Sequence, residues 1–411
     1  MATLIRPFTG LRPVPAAAAT VAAPPYDVLN TEEARARAAG KPNSFLHISK
    51  PEIDLPADTD PYAPAVYAKG AENLKRLVDA GVLIRDTAPH YYVYRLKMGD
   101  HVQTGFVAAA SVAAYDINRI RKHEYTRPDK EDDRVRQIEA LNAQTGPVLL
   151  AYKANAELQA IINSVAKGAP LYDVTADTGV VHTIWCVEDA GAIDRMTKIV
   201  DAMDALYIAD GHHRSAAASR VAAARRGKVK GTDSQEYFLA VSFPHDQMRI
   251  FDYNRVIRDL NGLTPDVFLA QIKERFDVTP AAGQVRPDKP TRFGMFLEGK
   301  WYQLDIHAKY VPETDPVARL DVSLLQDNLI APVLGISDPR RDKRIDFVGG
   351  IRGLGELEKR VQSGEMKVAF ALHPTTLEQL MAVADADQVM PPKSTWFEPK
   401  LADGLVSHVI D

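Results

Sequence analysis

The feature of this sequence that most constrains its fold is a short apolar run that ends at a glycine and continues into an alanine-rich segment. Residues 206–209 are apolar, as in a buried strand, and Gly211 follows them almost at once. Residues 215–226 are rich in alanine and arginine, which favour an α-helix. The sequence therefore predicts a strand-to-helix turn at Gly211, where glycine permits a tight reversal of the backbone.

The side chains at this turn are suited to an anion. The first amide groups of the helix and the positive end of its dipole favour phosphate. Arg214 can add a bidentate grip, and His212 and His213 can donate hydrogen bonds or transfer a proton. Asp210 can position a metal or accept a hydroxyl proton. We therefore predict a phosphate site at Gly211, with Asp210 and His212 as catalytic candidates.

Two other interpretations of the turn remain open. Asp210 could simply cap the helix while the histidines satisfy nearby carbonyls. The His212-His213 pair could bind zinc, although adjacent histidines point apart and lack the i, i+4 spacing of two ligands on one helix face. We favour Mg²⁺ carried by the phosphates of a nucleotide, with Asp210 as a candidate protein contact, no cage of protein ligands and no organic cofactor.

A second cluster lies in the polar segment 119–134. Glu124 is flanked by positive charge and is a candidate general base for a hydroxyl group. Lys130 and Arg134 are candidates to neutralise phosphate oxygens. The alternative is a solvated loop of mixed charge, which is the usual meaning of such a run.

Two proline-stiffened turns supply further candidates. Lys393 follows Pro391 and Pro392 and is predicted to contact phosphate, and the dipeptide Tyr26-Asp27 follows Pro24-Pro25. Both segments could equally be plain surface turns.

Composition limits the class of protein. A chain of 411 residues exceeds the usual size of one hydrophobic core, so two domains are expected. The net charge of -4 makes nucleic acid an unlikely partner, and no apolar stretch reaches the ~20 residues of a membrane span. The single cysteine, Cys186, lies in an apolar run where we expect a buried thiol, which fits a reducing cytoplasm.

Helix-like and strand-like segments alternate along the chain, which predicts an α+β, or mixed α/β, fold. A hairpin is expected over 90–112 around Gly99, helices over 60–80 and 321–335, and strands over 236–243 and 248–256. We assign residues 1–245 to a phosphate-binding domain and residues 246–411 to a C-terminal α/β domain.

Several motifs together resemble the bacterial domain-of-unknown-function family number 1015. They are Arg6-Pro7, residues 10–13, residues 24–27, His123-Glu124 with Thr126, Asp133-Arg134, residues 209–214 and residues 390–395. The segment from Asp210 to Arg214, with the helix after it, also resembles the phosphate-binding box of the ParB and sulfiredoxin superfamily, especially its free serine kinases.

This second resemblance implies a ParB/sulfiredoxin-like core with a large insertion, near residues 154–177, and an additional C-terminal region. It implies Glu124 as the base, Asp210 in contact with serine and the transferred phosphoryl group, and nucleotide phosphates held by the box. The residues assigned to the nucleotide phosphates are Gly211, His212, His213 and Arg214, and those assigned to the substrate are His123, Thr126, Tyr26 and Asp27. His212 replaces the reactive cysteine of sulfiredoxin, which excludes that chemistry.

These observations predict a cytoplasmic phosphotransferase, a kinase that acts on a small hydroxyl metabolite such as serine with a nucleotide or other phosphate donor. A phosphatase using the same site is an alternative. A ParB-like nucleotide-binding switch is another, although a DNA-reading helix-turn-helix is not evident, and a binding module without catalysis is a third. A homodimer remains open.

Overall fold

The computed structural model describes residues 3–228 and 233–411, and the chain divides into two compact units. The first unit is Met1–Met248 together with Pro399–Asp411, and the second is Arg249–Glu398. The domain boundary predicted near residue 245 lies close to Met248, where the first stretch of the first unit ends. The segment Pro399–Asp411, which the sequence analysis assigned to a C-terminal domain, instead belongs to the first unit.

The strands and helices alternate along the described residues. The strands are β1 Ile5–Arg6, β2 Gly10–Pro13, β3 Leu83–Arg85, β4 Tyr91–Met98, β5 His101–Ser111, β6 Ile120–Arg121, β7 Ala143–Gln144, β8 Val148–Tyr152, β9 Tyr172–Thr175, β10 Val181–Val187, β11 Leu206–Asp210, β12 Tyr237–Pro244, β13 Ile250–Phe251, β14 Tyr253–Ile257, β15 Phe276–Ala281, β16 Arg292–Leu297, β17 Lys300–Ile306, β18 Ile345–Gly349, β19 Val368–Leu372, β20 Trp396–Phe397 and β21 Ser407–Val409. The helices are α1 Ala18–Val21, α2 Thr31–Ala38, α3 Leu46–Ser49, α4 Pro64–Asp79, α5 Val112–Asp116, α6 Pro128–Leu141, α7 Ala156–Val165, α8 Ala190–Asp201, α9 His212–Arg225, α10 Pro265–Ile272, α11 Asp321–Leu325, α12 Ala331–Leu334, α13 Leu354–Gln362 and α14 Leu377–Asp385. The mixed α/β prediction is confirmed.

The first unit is built on a 9-stranded sheet with the order β6-β11-β8-β12-β5-β4-β10-β9 and with β1 beside β5. Two neighbouring pairs, β11 with β6 and β12 with β8, are parallel, and the rest are antiparallel. The predicted hairpin is present as β4 and β5, with Gly99 at φ +58 in the turn. An apolar core that includes Phe106, Leu150 and Ile208 packs beneath this sheet.

A 4-stranded sheet in the same unit ties the end of the chain to its beginning. Its order is β3-β2-β21-β7, so that β21 pairs with β2 on one side and with β7 on the other. The last strand of the chain therefore lies between two strands that precede it by hundreds of residues. This pairing fixes the position of the residues just before β21.

The second unit contains a 6-stranded sheet with the order β15-β17-β16-β19-β14-β18 and a 2-stranded pair of β13 and β20. Its strands pair antiparallel. One apolar cluster, which includes Val256, Phe296 and Leu357, packs between strands of the larger sheet and α13.

Three local predictions need correction. The helix expected over 321–335 is α11 and α12 separated by a π-helical stretch, Gln326–Ile330. The strand expected over 248–256 is divided into β13 and β14 by Asp252, whose carboxylate accepts from Asn254. Cys186 is half-buried rather than buried, because it lies on β10 with a side chain that the core does not enclose.

Within residues 3–228 and 233–411, no helix combines the length and the apolar character needed to cross a membrane.

Candidate active site

The predicted strand-to-helix turn is present, with β11 leading into α9 through Gly211. Gly211 has φ 99° and ψ 28°, a left-handed conformation that a residue with a Cβ adopts only at a cost. A Cβ at this position would also lie 3.2 Å from the Arg214 guanidinium carbon and 3.3 Å from Val148 Cα. Since no side chain caps the helix at Gly211, the first amides of α9 are left for other partners.

The carboxylate of Asp210 lies between two cations. Its Oδ2 is 3.1 Å from Lys400 Nζ, and its Oδ1 is 3.6 Å from an Arg214 nitrogen. Burial alone would raise the pKa of Asp210, but Lys400 and Arg214 outweigh burial and hold the pKa well below its usual range. Asp210 is therefore an ionised, ion-paired carboxylate and not merely a helix cap.

Arg214 turns back from the first turn of α9 toward the residues before it. Its side chain is 10% exposed, donates to the carbonyl of Pro147, and lies 3.5 Å from Asp27 Oδ2. Burial disfavours its charge, yet Asp27 and Asp210 keep the pKa of the guanidinium above its ordinary value. A permanently charged group is thus held at the turn by two carboxylates.

The loop after β6 brings Glu124 to the same place. Because β6 and β11 are parallel, the residues that follow them leave the sheet at the same edge, next to Gly211. Glu124 Oε2 lies 3.6 Å from His212 Nδ1, and the Glu124 side chain is 49% exposed. A carboxylate that solvent and substrate can reach therefore stands beside the predicted phosphate site.

His123 and His212 form a buried pair behind Glu124. The two rings meet edge to face with centres 4.5 Å apart, and the backbone N–H of His123 donates to His212 Nε2 over 3.4 Å. This bond assigns the proton of His212 to Nδ1, the atom that faces Glu124. Burial lowers the pKa of His123 to about 4 and the pKa of His212 well below its ordinary value, so both rings are neutral near pH 7.

Three other predicted residues are engaged with neighbours in the loop and in α6. His213 Nε2 accepts from the backbone N–H of Arg127 over 3.0 Å, which ties the loop to α9. Thr126 donates to the carboxylate of Glu131, and Lys130 Nζ donates to the Tyr62 hydroxyl over 2.7 Å. The structure shows these local contacts, and their predicted roles in binding phosphate or substrate remain predictions.

A small cavity adjoins Arg214 on the side of Tyr26. Arg134 lies over the Tyr26 ring, 3.8 Å from its centre, and pairs with Asp133 over 2.6 Å. The cavity has a volume of about 30 Å³, room for one or two water-sized groups. Its polar lining comes from Tyr26, Ser49, Arg134, Gln137, Gln144, Thr145, Arg214 and Asp403.

Two residues of this site, Lys400 and Asp403, were missed by the sequence analysis. They lie in a short segment near the end of the chain, and 190 positions separate Lys400 from its partner Asp210. Nothing in the local pattern of residues 399–404 marks them as part of a site. Lys393, which was singled out, lies in the second unit with Nζ 5.7 Å from the centre of the Tyr253 ring, and its phosphate contact remains a prediction.

The described residues, 3–228 and 233–411, contain no group of three or more histidine, cysteine, aspartate or glutamate side chains arranged to hold a metal ion. At the turn, the carboxylate of Asp210 is paired with Lys400 and Arg214, and its predicted contact with Mg²⁺ remains a prediction.

Comparison with known proteins identifies a family but no activity. The family model described as "Protein of unknown function (DUF1015)" matches residues 5–323. No curated protein matches the chain. Three solved structures are similar at a low level. They are a conserved hypothetical protein from Pyrococcus furiosus (14% identity, TM-score 0.36, covering 72% of this chain and 93% of that one), a free serine kinase in complex with AMP (14%, 0.36, 73% and 92%) and SbnI with a C-terminal truncation from Staphylococcus aureus (12%, 0.39, 72% and 85%).

Proposed function

Because the chain belongs to the DUF1015 family, whose description names no activity, we propose a function from the site itself: transfer of a phosphoryl group to a small hydroxyl compound. One observation carries the proposal. An accessible carboxylate, Glu124, stands 3.6 Å from His212 at the start of a helix whose first amides have no side-chain cap. A base and an anion site therefore meet at one point.

Glu124 has the position that a general base needs. Its half-exposed side chain can reach a bound hydroxyl, and the buried, neutral His212 behind it presents Nδ1 to the carboxylate at 3.6 Å. A positioned base of this kind contributes roughly 10²- to 10⁴-fold to a rate. Glu124 accepts the hydroxyl proton as the hydroxyl oxygen forms a bond to the phosphorus atom. The bond from phosphorus to the bridging oxygen of the donor breaks, and the remaining phosphate of the donor leaves with that electron pair.

The turn supplies the positive charge that phosphoryl transfer requires. The amides of α9 and the guanidinium of Arg214 face the charge that spreads over the phosphate oxygens. Mg²⁺, bound with the phosphates and in contact with Asp210, would add further charge neutralisation. Most of the catalytic effect then comes from positioning and electrostatics.

The finer assignment draws on the resemblance of residues 210–214 to the phosphate box of free serine kinases. We propose a ParB/sulfiredoxin-like core in the first unit, a nucleotide or related compound as donor and serine as acceptor. The single cysteine favours a reducing cytoplasm as the place of action. A homodimer is compatible with this proposal and not required by it.

The proposal is tested by product analysis. Purified protein is incubated with Mg²⁺, L-serine and either ATP, ADP or pyrophosphate, and phosphoserine is measured by mass spectrometry. We expect phosphoserine with at least one donor, and we expect Glu124→Gln to slow its formation by roughly 10²- to 10⁴-fold with donor affinity unchanged. Glu139→Gln, on the exposed face of α6, is the matched control and should behave as wild type.

A second incubation, with phosphoserine alone, measures release of inorganic phosphate and tests the phosphatase alternative. Phosphate release without any phosphoserine synthesis would replace the kinase by a phosphatase. An active Glu124→Gln variant, or wild-type protein inert in every arm, contradicts the proposal.

A further inference from the structure

We propose that Lys400 is a phosphate-contacting residue of the Gly211 turn, delivered by the C-terminal segment Pro399–Asp411. This inference rests on the proposed function only in treating the turn as an anion site. It assigns a role to a residue outside the stretch 5–323 that the family model matches.

The C-terminal segment is anchored firmly enough to hold a functional side chain. Asp403 forms a bridge with Ala23, the N–H of Ala402 donates to the Tyr94 hydroxyl over 3.2 Å, and β21 is paired on both sides. Gly404 takes φ +87 against the Phe45 ring, where a Cβ would lie 2.6 Å from a ring carbon. Residues 401–408 are buried throughout, so the base of the Lys400 side chain has a fixed position.

Lys400 and Arg214 hold the two oxygens of one carboxylate. Lys400 Nζ contacts Oδ2 of Asp210, and Arg214 contacts Oδ1, so the two cations flank the residue that immediately precedes Gly211. A carboxylate repels phosphate, whereas a carboxylate that orients two cations prepares a site for it. Asp210 thus acts as a positioning residue, and the cations make the contact.

Lys400 is also the more accessible of the two cations that contact Asp210. Its side chain is 25% exposed and ends in a compact charge on a flexible stem. By comparison, Arg214 is only 10% exposed and is held by the Pro147 carbonyl. Lys400 is therefore the cation that a phosphate arriving from solvent reaches more readily.

An independent observation from the same segment points to a ligand. Asp403 is 2% exposed and lines the cavity beside Arg214, and its Oδ2 has no hydrogen-bond partner among the described residues. Ser49 Oγ lines the same cavity and is also unpartnered there. A buried polar atom without a partner is unfavourable, and a hydrogen-bonding group of a bound molecule would satisfy it. The C-terminal segment thus supplies a cation at Asp210 and an unpartnered carboxylate oxygen in the cavity beside Arg214, the guanidinium that also contacts Asp210.

The test measures binding of pyrophosphate by calorimetry at low salt, without any requirement for turnover. We expect Lys400→Met to weaken binding by roughly 10- to 100-fold, the range for loss of one charge-assisted hydrogen bond. Lys400→Arg, which keeps the charge, should stay within about threefold of wild type. Lys97→Met, at an exposed lysine of β4, is the control for loss of one positive charge.

A double-mutant cycle shows whether Lys400 contacts the anion or only neutralises Asp210. If Lys400 contacts the anion, Lys400→Met weakens binding in the Asp210→Asn background as well as in wild type. If Lys400 only neutralises Asp210, its effect vanishes in that background, and the inference is overturned. Unchanged pyrophosphate affinity in Lys400→Met, or no pyrophosphate binding by wild type, also overturns it.

The two proposals fail separately. Wild-type protein that binds pyrophosphate through Lys400 but never forms phosphoserine would contradict the proposed function and leave this inference standing. Thermal unfolding of each variant with and without pyrophosphate shows whether a loss of binding reflects a loss of folding.

Discussion

Each unit of the protein contains a largely buried arginine, and the two arginines have opposite surroundings. In the first unit Asp27, Asp210, Arg214 and Lys400 form one connected cluster at a helix start. In the second unit the buried Arg255 donates to the backbone carbonyl of Tyr253 and lies 5.1 Å from the centre of the Phe347 ring. Burial lowers the pKa of Arg255 to about 10.

The contrast separates charge that a site needs from charge that a fold tolerates. In the first unit both cations favour the ionised form of Asp210. The cluster lies at an uncapped helix start, and its Arg214 also lines a cavity. Arg255 gains only a carbonyl and an aromatic face, and no ion pair to it is found among the described residues. Convergence of opposite charges on a buried arginine, rather than burial of an arginine by itself, marks the functional candidate.

The largest expected difference between the units is in the response to losing one arginine. Arg214→Met leaves Asp27 and Asp210 with less compensation and removes a phosphate contact. We expect pyrophosphate affinity to fall by about 100-fold and the free energy of unfolding to fall by roughly 2–4 kcal/mol, the lower part of the range for a broken buried ion pair. Calorimetry and urea unfolding give the two quantities.

Arg255→Met is the matched substitution in the second unit. Because it replaces an isolated buried charge by an apolar side chain of similar length, we expect a stability within about 1 kcal/mol of wild type, or higher, and unchanged pyrophosphate binding. An equal loss of stability or of pyrophosphate affinity in Arg255→Met and Arg214→Met would contradict this distinction between the two arginines.

The sequence predicts the residues at the Gly211 turn but not Lys400 and Asp403, and the reason is physical. Asp210, Gly211 and Arg214 lie within five positions, so an apolar strand, a glycine and a helix-forming segment define their geometry locally. Glu124 could be linked to the turn only by resemblance, and the parallel pairing of β6 with β11 now supplies the physical cause.

Lys400 and Asp403 reach the site through long-range strand pairing, which leaves no local signal. The pairing of β21 with β2 and β7 joins residues that are far apart in the chain, and a three-residue strand near a terminus has little periodicity to detect. The same limit explains the two-unit boundary, because the return of residues 399–411 to the first unit depends on that pairing.

A backbone substitution sharpens the comparison at the turn itself. Gly211→Ala combines a positive φ with a Cβ that would meet Arg214 and Val148, whereas Gly81→Ala has φ +67 with nothing within 4 Å of the new Cβ. We expect Gly211→Ala to cost about 2–3 kcal/mol of stability and to weaken pyrophosphate binding roughly tenfold, since it displaces the guanidinium. Gly81→Ala should cost about 1 kcal/mol and leave binding unchanged.

Equal effects of the two alanine substitutions on pyrophosphate affinity would mean that the turn does not hold the anion. Circular dichroism and urea unfolding establish that both variants fold before the affinities are compared.

The smallest difference expected between the units lies in a pH dependence that both share but that only the first unit couples to a ligand. Burial raises the pKa of Asp403 to about 7. The charges of Arg214 and Arg134 and the Tyr26 amide lower this pKa, and the charge of Asp27 raises it. Burial likewise raises the pKa of Asp321 to about 7, opposed only by a hydrogen bond from the Thr291 amide. An aspartate is ordinarily half-protonated near pH 3.9, so each native unit binds the extra proton between about pH 4 and pH 7.

Stability is therefore greatest at the acid end of this window and declines as the pH rises toward 7, by on the order of 1 kcal/mol per pH unit for each group. Hydrogen exchange read by mass spectrometry resolves peptides from each unit. We expect Asp403→Asn to flatten the decline in first-unit peptides alone and Asp321→Asn to flatten it in second-unit peptides alone. Saturating pyrophosphate places negative charge beside Arg214, which raises the pKa of Asp403. The decline in first-unit stability then extends to higher pH, whereas the second-unit decline is unchanged. A ligand shift of equal size in both units would remove the distinction between a converging cluster and an isolated buried charge.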